Sequence, residues 1–212
     1  MIFYDLLAWL DGDGCSRYLS YLPRLCQDSE PVVGGVDACP QLNALGPTSA
    51  SFTYIPRALA ADPRIVQRGV MVALSPSSLQ EARSLAKARL RVPATLLVRF
   101  SNLRFFDEGE VRVLSQNRAR PFLEVCLGEI VSEGIARNRL GWALRRASLL
   151  LEQVLREGVE AVISSCTRRG SHPLLCGQGE GVLMAMGFSR SERSSLLYTY
   201  PAELVERWRG VE

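Results

Sequence analysis

The chain has 212 residues, of which 47% are hydrophobic, and carries a formal net charge of +3 with a single histidine. That length and apolar content suit one sizeable core and hence a single domain over 1–212. No apolar run approaches the roughly 20 residues of a membrane span, Asp5 stands where a signal peptide would be positive, and one imidazole argues against a polynuclear metallohydrolase centre.

In chain order, Ile2 to Ala8 reads as a strand and Ser16 to Leu25 as a helix. Strands at Val32 to Ala38 and Phe52 to Ile55 flank a loop, Cys39 to Ser51, rich in Pro, Gly, Asn and Ser. A helix at Pro63 to Gln67 precedes a strand at Val70 to Leu74. The next helix, Leu79 to Leu90, opens with Ser78 three residues before Glu81, the spacing of a capping box. After a strand at Ala94 to Phe100, Asp107 is placed to cap a helix over Glu110 to Gln116. Phe122 to Leu127 is a strand. Apolar residues at Leu140, Ala143, Leu144, Ala147, Leu151 and Val154 mark an amphipathic helix over Arg139 to Arg156, stopped by Gly158. Ala161 to Ser165 suits a strand buried on both faces. Helices at Gln178 to Met186 and Glu192 to Leu197 follow, with a last strand near Tyr198 to Tyr200. Seven or eight strands alternating with helices predict an α/β fold, a single TIM-barrel-like (β/α) domain, regular or irregular. It would be compact beside the roughly 250 residues usual for that architecture.

The candidate chemistry is narrow. His172, before Pro173, is read as a loop residue, and no G-x-S-x-G nucleophile elbow occurs. The turn Gly177 to Gly181 admits a phosphate cradle at a helix start, yet Glu180 would repel the anion and close packing also explains the glycines. Asp5, Asp107 and Glu124 could converge as acid/base carboxylates. Capping, and salt bridges to Arg104 or Arg99, are the simpler reading, so Asp5 and Asp107 are read as structural polar residues. The six cysteines lack C-x-x-C spacing, which argues against structural zinc and for small buried apolar residues, with thermophile-type internal disulfides left open. Lys87 is the only lysine among 25 Lys and Arg residues. Arginine's planar fork suits bidentate phosphate contact, although a GC-rich genome gives the same ratio. Arg137, Arg139, Arg145 and Arg146 cluster on one helix, Arg118 and Arg120 precede the PFLEVCL strand, and Arg168 and Arg169 follow Ser164 and Ser165. If folding gathers them, they make a phosphate-binding rim; taken alone, the helix arginines are a solvated face. No RRM, KH or double-stranded-RNA-binding signature is present.

The order of these features, from about Ser101 onward, resembles protein component 3 of archaeal ribonuclease P, a family related to a protein subunit of the eukaryotic enzyme. The residues that carry the resemblance are Arg104, Asp107 and Gly109, then PFLEVCL around Glu124, Arg139 and Arg145 on the helix, Ser164-Ser165, Gly181 to Gly187 and Tyr200-Pro201; IFYDLLAW, with Asp5, is similar to the family's opening strand. His172 and Cys176 stand where the family usually has an Arg and an Asp. The resemblance implies a barrel subunit of the ribonucleoprotein that removes 5′ leaders from precursor tRNA. Hydrolysis would belong to the RNA subunit and its Mg²⁺, with no catalytic residue and no cofactor on this chain. The implied partners are ribonuclease P RNA, protein component 2, other ribonuclease P proteins and, indirectly, precursor tRNA, in the cytoplasm and without a membrane. Arg104, Arg118, Arg120, Arg137, Arg139, Arg146, Ser164, Ser165, Arg168 and Arg169 would then contact RNA or a protein partner. A freestanding barrel enzyme acting on a small phosphorylated substrate through the 177–181 turn is the alternative.

Overall fold

Short, largely apolar runs become seven strands, of which the four between Met71 and Ser164 are buried on both faces. The computed structural model describes residues 2–9, 18, 30–36, 53–60, 69–89, 93–117, 121–166 and 177–210. The strands are β1 (Ile2–Trp9), β2 (Glu30–Val36), β3 (Thr53–Ala60), β4 (Met71–Leu74), β5 (Ala94–Val98), β6 (Phe122–Cys126) and β7 (Ala161–Ser164). They pair in chain order and every pair is parallel. The sheet curls into a nearly closed barrel whose seam joins β1 to the end of β7. There the Cys166 N–H donates to the Leu7 carbonyl at 2.9 Å, and the Ser165 N–H donates to Asp5 Oδ1 at 2.9 Å. The expected TIM-barrel-like α/β architecture is therefore present.

Helices α1 (Leu79–Lys87), α2 (Glu108–Gln116), α3 (Leu127–Ala136) and α4 (Leu140–Arg156) lie between strands, and α5 (Gly177–Ala185), α6 (Arg190–Ser194) and α7 (Tyr200–Arg209) follow β7. Their starts follow the local chemistry. Ser78 accepts from the Glu81 N–H, and Asp107 forms a reciprocal capping box with Glu110. Gly158, at φ +67°, turns the chain out of α4 in the left-handed conformation that favours glycine.

Three expectations need correction. Strand β3 does not stop at Ile55 but continues through Pro56 and Arg57 to Ala60. The β6 strand ends at Cys126, and Leu127 opens helix α3, which the pattern did not announce. The strand expected near Tyr198 to Tyr200 is instead a π-helical turn over Ser195–Thr199 running into α7. Pro201 sits in the first turn of α7, where its fixed φ favours a helix and no N–H is needed. The helices expected at Ser16 to Leu25 (Tyr18 apart) and Pro63 to Gln67, and the Cys39 to Ser51 loop, lie outside the described residues.

Alternation along the strands sorts side chains into an outer shell and a filled lumen. The outer faces pack Val72, Leu74, Leu96, Val98, Leu123, Val125 and Ile163 against the helices in one core. Inside, Val32, Ile55, Met71, Phe122 and Val162 form a lower layer, stoppered by Leu204 and Val205 of α7. An upper layer consists of Leu7, Ala73, Leu97, Cys126 and Cys166. Between the two apolar layers lies a polar one.

Candidate functional site

The polar layer is built around Arg57. Its guanidinium reaches across the lumen from β3 to Glu124 on β6, with Nη1 2.9 Å from Oε1 and Nη2 2.6 Å from Oε2. Nη2 also donates to Thr95 Oγ1 at 2.7 Å, and Nη1 to the Leu6 carbonyl. Thr95 and Ser164 hydroxyls complete the carboxylate by donating to it, each at 2.5 Å. Both charged side chains are fully buried. Gly34 makes room for this group: a Cβ there would sit 2.8 Å from Arg57 Cδ. Arg57 was missed by sequence reasoning, although an arginine in YIPRALA and a glutamate in FLEVC, each inside an apolar strand, were a signal that two buried charges must meet.

Asp5 sits at the seam. It accepts the Ser165 hydroxyl at 2.5 Å and the Tyr18 hydroxyl at 2.7 Å, besides the Ser165 N–H. Burial pushes its carboxyl up from 3.8 to about 6, opposed by these hydrogen bonds and reinforced by the Glu124 charge. Burial, and then the Asp5 charge, also raise the Tyr18 phenol. The folded protein thus holds the Asp5 proton more tightly than the unfolded chain does. This residue favours folding most at pH below the usual carboxylate value, and the contribution is lost as pH rises through about 6. A shift of about two units corresponds to about 3 kcal/mol. Urea midpoints of the parent measured against Asp5→Asn at pH 4, 5, 6 and 7 are expected to converge with rising pH, the parent's advantage shrinking between pH 4 and 6. Parallel curves would refute the assignment.

Ser164 and Ser165 are therefore withdrawn from the surface, since both are buried and both hydroxyls are committed to carboxylates. Asp107 caps α2 and does not join Asp5 and Glu124. Arg99 pairs with Glu129 at 2.8 Å rather than with any of these carboxylates.

The arginines expected on the surface do gather in part, at the C-terminal end of β5. Helix α3 ends in a Schellman turn, with Asn138 at φ +51°, the Arg139 N–H bonded to the Gly134 carbonyl and the Asn138 N–H bonded to the Ile135 carbonyl. Gly134 lets α4 approach closely, because a Cβ there would lie 3.0 Å from Leu140 Cα. The turn presents Arg137 and Arg139 to solvent on either side. Arg137 lies over the Phe100 ring at 5.4 Å, and Arg139 over the Trp142 ring at 5.4 Å. Phe100 and Trp142 meet edge to face, with centroids 5.9 Å apart. Arg104 is exposed over Phe105, and Arg146 ties α4 to this region by donating to the Phe106 carbonyl at 3.3 Å. Arg118, Arg120, Arg168 and Arg169 lie outside the described residues.

No protein-family model and no curated protein matches the chain. A crystal structure of an uncharacterized protein is similar in fold, with a TM-score of 0.55 at 12% identity over 99% of this chain and 75% of the other. The likeness extends to the fold alone.

Among the described residues, the polar layer of the lumen lies between two apolar ones. Three grooves of about 440, 470 and 470 Å³ among the described residues open on the outside and are lined by neither Asp5 nor Glu124. Gly177 to Gly181 is the start of α5, where Glu180 lies 3.5 Å from Arg193. Among the described residues, no group of three or more His, Cys, Asp or Glu is placed to hold a metal, and no helix is long and apolar enough to cross a membrane. Chemically, the lumen can stiffen the barrel, and the rim can bind anions and flat π-systems.

Proposed function

We propose that this chain is an RNA-contacting protein subunit of a ribonuclease P, in line with its resemblance to component 3 of the archaeal enzyme. The observation that carries the reading is the rim at the end of β5: Arg104 and Arg139 are exposed, and neither has a carboxylate partner among the described residues. Fixed guanidinium groups there would replace diffuse counterions and let anionic RNA fold compactly at lower Mg²⁺. Contacts of this kind position the backbone without reading sequence. In this reading the chain is not itself catalytic: hydrolysis is left to the RNA subunit and its Mg²⁺, with protein component 2 assisting. The reading carries an archaeal, cytoplasmic setting, and the disulfide that joins Cys126 to Cys166 is, in that setting, a pattern of hyperthermophiles.

The test is precursor-tRNA cleavage by a cognate ribonuclease P RNA with component 2, with and without this chain. The chain is expected to restore activity at low Mg²⁺. Arg104→Glu or Arg139→Glu is expected to raise the Mg²⁺ requirement and to lower the salt slope of RNA binding by about 1 for each phosphate no longer neutralised. Unchanged Mg²⁺ dependence in both variants would sink the residue assignment. No gain from the folded parent chain would sink the subunit reading.

A further inference from the structure

We infer that Phe100, Trp142, Arg137 and Arg139 form a clamp for an unpaired RNA base, a role distinct from the backbone contacts proposed above but resting on the same RNA-subunit reading. Trp142 is 41% exposed at the start of α4, and Ile135 beside the turn is 63% exposed. The edge-to-face contact with Phe100 fixes the indole's orientation. What lies over the ring is a guanidinium, that of Arg139 at 5.4 Å, held by no carboxylate among the described residues. A guanidinium can swing aside to admit a base, then bond the adjoining phosphate or stack on the base's other face. Arg137 flanks the site on the Phe100 side. Its carboxylate partner among the described residues is Glu133 at 2.8 Å, an exposed i, i+4 pair of the kind that exchanges readily for a phosphate.

The geometry favours nucleic acid over a protein partner. Arg137 and Arg139 border the aromatic pair, and Glu133 is the only carboxylate paired to either among the described residues. Arginine beside exposed aromatics is the combination by which single strands are bound, the rings taking bases and the cations taking phosphates. A duplex keeps its base faces stacked and cannot use such a platform, so the clamp selects unpaired RNA.

The experiment uses the full chain with a twelve-nucleotide single-stranded oligoribonucleotide and, separately, the duplex made from it. Single-strand binding is expected to exceed duplex binding and to quench tryptophan fluorescence. Trp142→Ala should weaken single-strand binding about 5- to 150-fold, the range for one stacked base, and leave the salt slope unchanged. Trp142→Phe should retain most of the affinity, and Arg139→Gln should lower the slope by about 0.7, the value for one phosphate of a single strand. Circular dichroism confirms that each variant is folded, as expected for an exposed position. Equal affinity for single strand and duplex, no measurable single-strand binding, or undiminished binding by Trp142→Ala overturns the clamp. So does a Trp142→Ala variant that binds RNA normally but fails to associate with component 2, which would make the patch a protein contact. Binding that depends on Trp142, without reconstituted precursor-tRNA cleavage, keeps the clamp and removes the ribonuclease P reading. Reconstituted cleavage together with Trp142-independent binding does the reverse.

Discussion

Arg57→Met is expected to lower the unfolding free energy by about 3–5 kcal/mol, the cost of removing one partner of a buried ion pair. For a chain of this size that corresponds to a fall in Tm of about 6–20 °C. The methionine stem fills most of the space the arginine occupied, so the loss is electrostatic rather than a cavity effect. Glu124 would keep the Thr95 and Ser164 hydroxyls but lose both Arg57 bonds, leaving a charge at 0% exposure without a counterion. Glu124→Leu alone fails in the complementary way, by stranding the guanidinium. The decisive variant is the double one: Arg57→Met with Glu124→Leu should regain most of the lost stability, because an apolar middle layer would join those above and below it. Urea unfolding of the four proteins gives the coupling energy directly. Single variants as stable as the parent would show that water or relaxation reaches the layer, and the plugged lumen would have to be abandoned.

That network also shows where reading a sequence stops. Barrel architecture was legible because each buried strand is a local apolar run and each helix start a local cap, as at Ser78 and Asp107. Strand β3 was cut short because Pro56 argues against a central strand, and Arg57 lies just beyond it. Its partners are 38, 51 and 67 residues away, and no local pattern encodes such pairings. Helix α3 was missed for a related reason. Gly128 and Gly134 lower helix propensity, yet both are required by tertiary contact, Gly128 against the Ser165 backbone and Gly134 against Leu140. Tyr198 to Tyr200 suggested a strand by aromatic content, but Pro201 and the burial of Leu196, Leu197, Leu204 and Val205 make that segment helical. On the rim, arginine positions were visible in sequence. Trp142 and Phe100 were not singled out, since a lone aromatic on an amphipathic helix normally packs inward.

Breaking the Cys126–Cys166 disulfide is expected to cost about 4 kcal/mol. The two half-cystines are 40 residues apart, and closing a loop of that length removes about this much entropy from the unfolded chain. The corresponding loss in Tm is about 8–16 °C. Reading the cysteines as small buried residues holds for this pair, and the internal disulfide that reading left open is present here; spacing could not announce it, because it reveals nothing about a bridge between the ends of two neighbouring strands. The bridge ties the end of β6, at the last pair of its ladder with β7, to the residue whose N–H closes the seam on Leu7, so it anchors one side of that seam. Both sulfurs are buried among Leu7, Ala73 and Leu97. A reductant should therefore act slowly on the native protein and quickly in urea, which thiol titration over time will measure. The thermodynamic test is the double variant Cys126→Ala with Cys166→Ala, since a single replacement leaves a buried thiol. Cys166 has φ +47°, a conformation that costs alanine and not glycine. Cys126→Ala with Cys166→Gly should accordingly be the more stable of the two double variants at the backbone level, while both remain well below the parent. Double variants that melt with the parent would mean that the β6–β7 ladder and the lumen packing hold this end of the barrel unaided.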